Sequence, residues 1–155
     1  MNLTLSNTSL EARKEVRNYI LQVETELTCL SGEHISIEED HKFTDGLYIR
    51  TVFLPKGTLL VGKIHKTEHA NLLSKGDVSV LTEFENTRYL AGASFLSPAW
   101  TKRIVYANED SVWTVFHPTT STDLKEIEEL VIAKDYSELT ELEAHNCIQI
   151  KDIEV

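Results

Sequence analysis

The spacing of apolar residues changes character three times along this chain. In SNTSLEARKEVRNYILQVETEL, residues 6–27, Leu10, Val16, Tyr19, Ile20, Val23 and Leu27 recur at helical spacing and form one apolar face. Asn7, Thr8 and Ser9 stand ahead of that run as candidate N-caps, and Glu11 or Glu15 complements the positive end of the helix. SGEH, residues 31–34, breaks the pattern. From residue 35 to about 117 the period falls to two: GLYIRTVFLPKG alternates into a turn, and TLLVGKIHKT, NLLSKGDVSVLTE, TRYLAGASFLS, KRIVYANE and SVWTVFHPT follow as short strands. Short strands spaced roughly 8–12 residues apart predict a sandwich or barrel. STDLKEIEELVIAKDYSELTELEAH then returns to a Glu-rich helix capped by Ser121 or Thr122, with Leu124, Ile127, Leu130 and Val131 placed to pack on the barrel. The closing NCIQIKDIEV alternates, as a strand added to a sheet edge of its own or a partner subunit would.

These boundaries give an N-terminal helical segment (1–34), a β-barrel (35–118) and a C-terminal helix and tail (119–155), one domain in all. A chain of 155 residues with 41% hydrophobic and 26% charged residues is long and apolar enough to bury its own core. The formal charge of −10 opposes nucleic-acid backbones and anionic membranes, both of which need a basic face. No apolar run approaches the roughly 18 residues of a bilayer span, and the first residues lack the charged-then-apolar order of a secretion signal. With two cysteines, Cys29 and Cys147, far apart and read as reduced, half-buried thiols, the expected setting is the cytoplasm.

The chemistry concentrates in GTLLVGKIHKTEHANLLSKG, residues 57–76. On a regular strand Lys63, His65, Thr67 and His69 share one face, and in a small barrel that face can line a cavity. This stretch resembles the first motif of the cupin family, G(X)5HXH(X)3–4E(X)6G: Gly57 opens it, Lys63 stands at the first His, His65 at the second, His69 at the Glu, and Gly76 closes it. The second cupin motif, G(X)5PXG(X)2H(X)3N, is similar to the stretch from Gly92 with Pro98 at the right interval, while Trp100 stands for the glycine, Arg103 for the His and Ala107 for the Asn. The β segment also resembles small cupin-like proteins of tailed bacteriophages, which would put it in a host cytoplasm. The resemblance implies a cupin-like β-barrel of jelly-roll type, mainly β, flanked by an N-terminal helix and an acidic C-terminal helix, and a homodimer or higher homo-oligomer.

The same resemblance implies a metal held by three histidines and a glutamate, and here the sequence departs from it. Protonated Lys63 and Arg103 offer no lone pair, and two cations repel a third. His65 and His69 alone fall short of the three protein ligands of a zinc or catalytic iron site. The expectation is therefore a cavity that holds a small anionic molecule bearing phosphate, nucleotide or carboxylate, without a cofactor, through Lys63, His65, His69 and Arg103, with Arg50 and Lys102 as less certain neighbours. In a phage setting such a binder would act on host metabolism or defence. Two alternatives stand beside it: an isomerase or oxygenase with a divalent transition metal on His65 and His69, and a non-catalytic interaction or virion-associated protein. Outward-pointing Lys63 and Arg103 would remove the case for the first.

Trp100 occupies a turn position where glycine supplies positive φ. Either the turn has another shape, or Trp100 stands at the mouth as a lid or ligand contact, or it packs on a terminal helix. Trp113 reads as core. Ser94, Ser97 and His117 lack the strand–turn–helix context of a serine nucleophile, and no phosphate loop or CxxC pair is present. Glu83 and Glu85, flanking a hairpin, read as solvated; His117 reads as a strand-end polar residue able to line the cavity. Tyr48, Tyr89 and Tyr106 are candidates for a phenol at the mouth.

Overall fold

A computed structural model describes residues 9–30, 32 and 34–139, together with the short strand at 3–4. In chain order the elements are β1 (Leu3–Thr4), α1 (Leu10–Cys29), β2 (Glu38–Thr44), β3 (Leu47–Leu54), β4 (Leu59–Val61), β5 (Ile64–His65), β6 (His69–Lys75), β7 (Asp77–Leu81), β8 (Glu85–Leu90), β9 (Ser94–Ser97), β10 (Ile104–Ala107), β11 (Ser111–Pro118), α2 (Leu124–Val131) and β12 (Ile132–Ala133), with a 3-10 turn at Tyr136–Glu138. Antiparallel pairing assembles two five-stranded sheets, β1-β8-β7-β10-β4 and β2-β3-β11-β6-β9, and a small third sheet of β12 and β5. Residues 140–155, with Cys147 and the alternating tail, lie outside the described residues, as do Asn7 and Thr8.

The two large sheets bury their inner faces against each other. Leu54, Leu73 and Trp113 from one sheet meet Val78, Val80, Val105 and Ala107 from the other. The period-two alternation delivers this directly: His69, Asn71 and Leu73 point inward from β6, and Val78 and Val80 from β7. Gly76, between those strands, has φ +94, and a Cβ there would lie 2.1 Å from Ser111 Oγ. Only glycine satisfies both demands, so the β6–β7 hairpin is fixed at that residue.

The first helix binds the barrel through charge. Ser9 caps it, its Oγ accepting from the Ala12 amide at 3.3 Å. The expected apolar face is only partly used: Tyr19 is exposed, and the buried positions are Arg13, Arg17 and Ile20. Both guanidinium groups reach Glu83, at 3.2 Å from Arg13 and 2.7 Å from Arg17. Glu83, expected in solvent, is 1% exposed. The reason is its place in the β7–β8 turn beneath α1, which a reading of local sequence treats as a free hairpin loop. Phe84 and Tyr136 close the site, each with its ring 4.5 Å from one of the two guanidinium carbons. Lys102 makes a second such link, donating to Glu24 at 2.8 Å and to the Gly62 carbonyl at 2.9 Å. Cys29, expected to be half-buried, is exposed at the end of α1. No helix among the described residues is long and apolar enough to cross a membrane.

A carboxylate buried between two guanidinium groups is costly to lose, because its removal strands two charges. Glu83→Ala is expected to lower the unfolding free energy by about 3–5 kcal/mol, measured by urea titration. Replacing Arg13, Arg17 and Glu83 together with apolar residues of similar volume should recover most of that loss; a change under about 1 kcal/mol for Glu83→Ala would place the carboxylate in water.

Candidate functional site

The stretch from Gly57 to Gly76 is three strands, not one. Gly62 separates β4 from β5; its amide donates to the Arg103 carbonyl at 2.9 Å, and a Cβ would touch Arg103 Cγ at 3.4 Å. β5 then leaves the large sheets to pair with β12, where Ile132 faces His65. These breaks reset the alternation, so the shared face expected for Lys63, His65, Thr67 and His69 does not form. Lys63 turns to the rim and pairs with Glu128 of α2, both side chains largely exposed. Thr67 is exposed, His65 is half-buried and His69 is buried.

His69 is joined by two other imidazoles. Ring centroids lie 4.5 Å apart for His65 and His69, 4.9 Å for His69 and His117, and 5.4 Å for His65 and His117. Arg103 completes the cluster from the loop before β10. Its Nη2 lies 3.1 Å from His69 Nε2 and donates to Ser97 Oγ at 2.8 Å; its Nη1 donates to Asn71 Oδ1 at 3.4 Å. Asn71 Oδ1 also accepts from Trp113 Nε1 at 3.0 Å, and the Arg103 guanidinium carbon lies 5.3 Å from the Trp113 ring centroid. Arg103 thus points inward as expected, with 6% exposure.

The partners fix the His69 tautomer. Its Nδ1 is 3.0 Å from the Thr67 carbonyl, which can only accept, so Nδ1 carries the proton. Nε2 then presents its lone pair to the guanidinium, which can only donate. Burial holds the His69 and His117 pKa values down to about 4, with the positive charge of Arg103 adding to the effect in both. Burial also pushes His65 well below its ordinary value, and the Arg103 charge pushes it the same way. All three rings are neutral at pH 7. Arg103 is itself lowered to about 10 by burial, which leaves it charged. Three buried polar atoms of this cluster have no partner among the described residues: His65 Nδ1, His117 Nδ1 and Arg103 Nε.

This donor set does not fit a metal of the cupin type. Of the four corresponding positions, Lys63 is at the rim, Arg103 is a cation, and the outward-facing lone pair of His69 is already engaged by Arg103. The metal pairing of His65 with His69 therefore loses one of its two ligands to a hydrogen bond. Among the described residues no group of three His, Cys, Asp or Glu side chains is arranged to hold an ion.

Around the cluster lies a cavity in two neighbouring parts, which share Arg50 and His65 as lining residues. The outer part, about 330 Å³, is bordered by His41, Tyr48, His65, His117 and the inner face of α2. The inner part, about 260 Å³, runs between the sheets along Val52, Leu60, Val105, Trp113 and Val115 to Arg103 and His65. Arg50 stands where they meet, but Glu39 holds it in a two-point pair, with Nε to Oε2 at 3.2 Å. Tyr48 is the mouth phenol; its hydroxyl is 2.8 Å from His41 Nδ1, and His41 Nε2 is 3.4 Å from Glu39. Ile127 and Val131 of α2 pack on Tyr48 and roof the outer part, while Leu124 and Leu130, expected to pack, are exposed. Lys102 is buried but committed to Glu24, away from the cavity.

Trp100 lines neither part of the cavity. It is 7% exposed and packs with Ile64 and Ala133, bordered by Tyr136 and Leu139. Its φ of +63 is the left-handed value that glycine takes at this turn, and its amide donates to the His65 carbonyl at 2.6 Å. The residue therefore bears backbone strain while its indole packs against the segment that follows α2. Two residues that matter here, Asn71 and His117, were legible in the alternation: Asn71 lies between His69 and Leu73, and His117 two after Val115, on inward-facing phases.

No protein-family model and no curated protein matches this chain. Solved structures do. Salicylate 1,2-dioxygenase from Pseudoaminobacter salicylatoxidans, in adducts with gentisate, has a TM-score of 0.52 at 15% identity over 78% of this chain and 36% of its own. KdgF from Halomonas sp. has a TM-score of 0.47 at 22% identity over 56% of this chain and 84% of its own. A cupin-2 domain containing protein from Shewanella frigidimarina has a TM-score of 0.44 at 14% identity over 64% of this chain and 99% of its own. At such identities the likeness is one of fold. The fold is mainly β, a cupin-like barrel of jelly-roll type with an N-terminal helix, as the glycine–proline frame predicts.

The histidine cluster makes stability depend on pH. An unfolded histidine takes up its proton near 6.5, whereas His69 and His117 resist it until about 4. Their contribution is complete above pH 6.5 and is lost as pH falls from 6.5 to about 4, on the order of 3 kcal/mol for each. Urea titrations across that window should show the decline, and His117→Asn should flatten it; equal slopes in the two proteins would count against a neutral, buried His117.

Proposed function

We propose that this protein binds a small molecule bearing a carboxylate or phosphate inside its barrel, without a metal. The observation that carries the reading is the Arg103 guanidinium, a buried cation that no carboxylate oxygen among the described residues contacts. Glu85 acts on it only through space. A buried charge without a counter-charge is costly, and an anionic ligand supplies one. Arg50 and Lys63 are balanced by Glu39 and Glu128, so Arg103 is the group whose charge calls for a ligand. His65 and His117, neutral and with unpartnered ring nitrogens, offer further hydrogen bonds along the path from the mouth. The resemblance to phage-borne barrels extends the proposal to sequestration of a host metabolite; it supplies no residue of its own.

The test is a thermal-shift screen of the full chain with inorganic phosphate, nucleoside monophosphates and simple carboxylates, alongside elemental analysis of the purified protein. A ligand at about a hundred times its Kd should raise Tm by about 5–10 °C, and Arg103→Gln should remove the rise. Stoichiometric transition metal in the wild type, or no shift with any anion, would overturn the reading.

A further inference from the structure

The cavity specifies more than a charge. We infer that its ligand is an amphipathic monocarboxylate, with the acid group at Arg103 and His65 and a short alkyl chain or single ring in the inner compartment. This rests on the anion-binding reading and narrows it.

The first observation is the mismatch between the two compartments. They share Glu39, Arg50, Lys63, His65 and Ile132 and so lie side by side. Imidazoles, a phenol and charged groups line much of the outer one. The inner wall is a patch of hydrocarbon: Ile37, Val52, Leu60 and Val115 border the barrel core yet stay only partly buried, and with Val105 and Trp113 they face the inner space. Apolar side chains on the facing inner sides of two packed sheets normally fill the space between them. Here they leave about 260 Å³, just short of the roughly 300–1,000 Å³ typical of drug-sized ligands. A nucleotide or bare phosphate would leave this wall unmatched; a small hydrocarbon body covers it.

The second observation is the count of unmet polar atoms. Nη1 of Arg103 bonds Asn71 and Nη2 bonds His69 and Ser97, which leaves the Nε hydrogen and the second Nη1 hydrogen without an acceptor among the described residues. His65 Nδ1 is also unpartnered, and it is a donor in the tautomer that carries the ring proton there. Both residues line the inner compartment. The remaining charged groups on that wall, Glu39 with Arg50 and Lys63 with Glu128, are paired. One buried guanidinium beside a hydrocarbon wall suits the single charge of an organic carboxylate better than the larger charge of a phosphate.

The experiment is binding of acetate, hexanoate, cyclohexanecarboxylate, hexanol and inorganic phosphate to the wild-type chain, by calorimetry and by Trp113 fluorescence. Hexanoate and cyclohexanecarboxylate should bind about tenfold or more tightly than acetate, through the apolar surface they bury, and hexanol should bind weakly for want of charge. The six-carbon acids should shift the indole emission, and acetate should not. Val115→Phe, which fills the inner space, should abolish that advantage while keeping the acetate affinity. Acetate or phosphate binding as tightly as hexanoate would overturn the inference and leave anion binding intact; no binding by any anion would sink the anion-binding reading itself. Should Val115→Phe fail to fold, the affinity ranking and emission shift in the wild type decide the matter alone.

Discussion

A guanidinium in the middle of a β-barrel, with no carboxylate of the described residues beside it, is the constraint around which this interior is organised. Arg103 is kept soluble in a low-dielectric setting by spreading its hydrogen bonds over neutral acceptors: His69 Nε2, Ser97 Oγ and Asn71 Oδ1, with the Trp113 ring to one side. Each acceptor is in turn held by something else. Thr67 orients His69, and the Trp113 indole donates to Asn71. The network spans β6, β9 and β11 and the loop before β10, so the charge ties the strands of one sheet to a loop that enters the other. Burial keeps the three neighbouring imidazoles neutral, and the cation already present adds to the cost of a second charge.

Most of the charge buried or half-buried in this molecule is paired across elements. Glu83 with Arg13 and Arg17, and Glu24 with Lys102, fasten α1 to the barrel. Glu39 with Arg50, and Glu128 with Lys63, do the same for the rim and α2. In all of these a carboxylate answers each cation. Among the buried cations of the described residues Arg103 is the exception, and it lies on the wall of the cavity. A chain with net charge −10 thus keeps a local excess of positive charge at its centre, where solvent screening is weakest.

The same residue argues against a metal. At the positions where the cupin resemblance places ligating side chains, the lone pair of His69 is turned to a guanidinium, and Lys63 has left the interior. A fold does not fix the chemistry of its interior, and here a guanidinium that only donates stands beside His69. Trp100 shows a related separation. It keeps the left-handed backbone of the turn but spends its side chain on holding the C-terminal segment over β5.

By itself, the sequence determined the strand periodicity, the glycine turns at Gly57, Gly76 and Gly92, and the core role of Trp113, because each follows from local alternation or from φ values that only certain residues adopt with ease, whereas the inward course of Arg103 was implied by the cupin resemblance alone. The breaks at Gly62 and beyond β5 were decided by tertiary structure, since they answer to Arg103 across the sheet and to β12 arriving from the far end of the chain. So were the burial of Glu83, the rim position of Lys63 and the partner of Arg50. A charged side chain carries no mark in its own neighbourhood of whether its counter-ion will come from solvent or from an element 66 residues away, as Arg17 and Glu83 do. That choice is made when helix and barrel meet, and desolvation then settles which charges must find a partner.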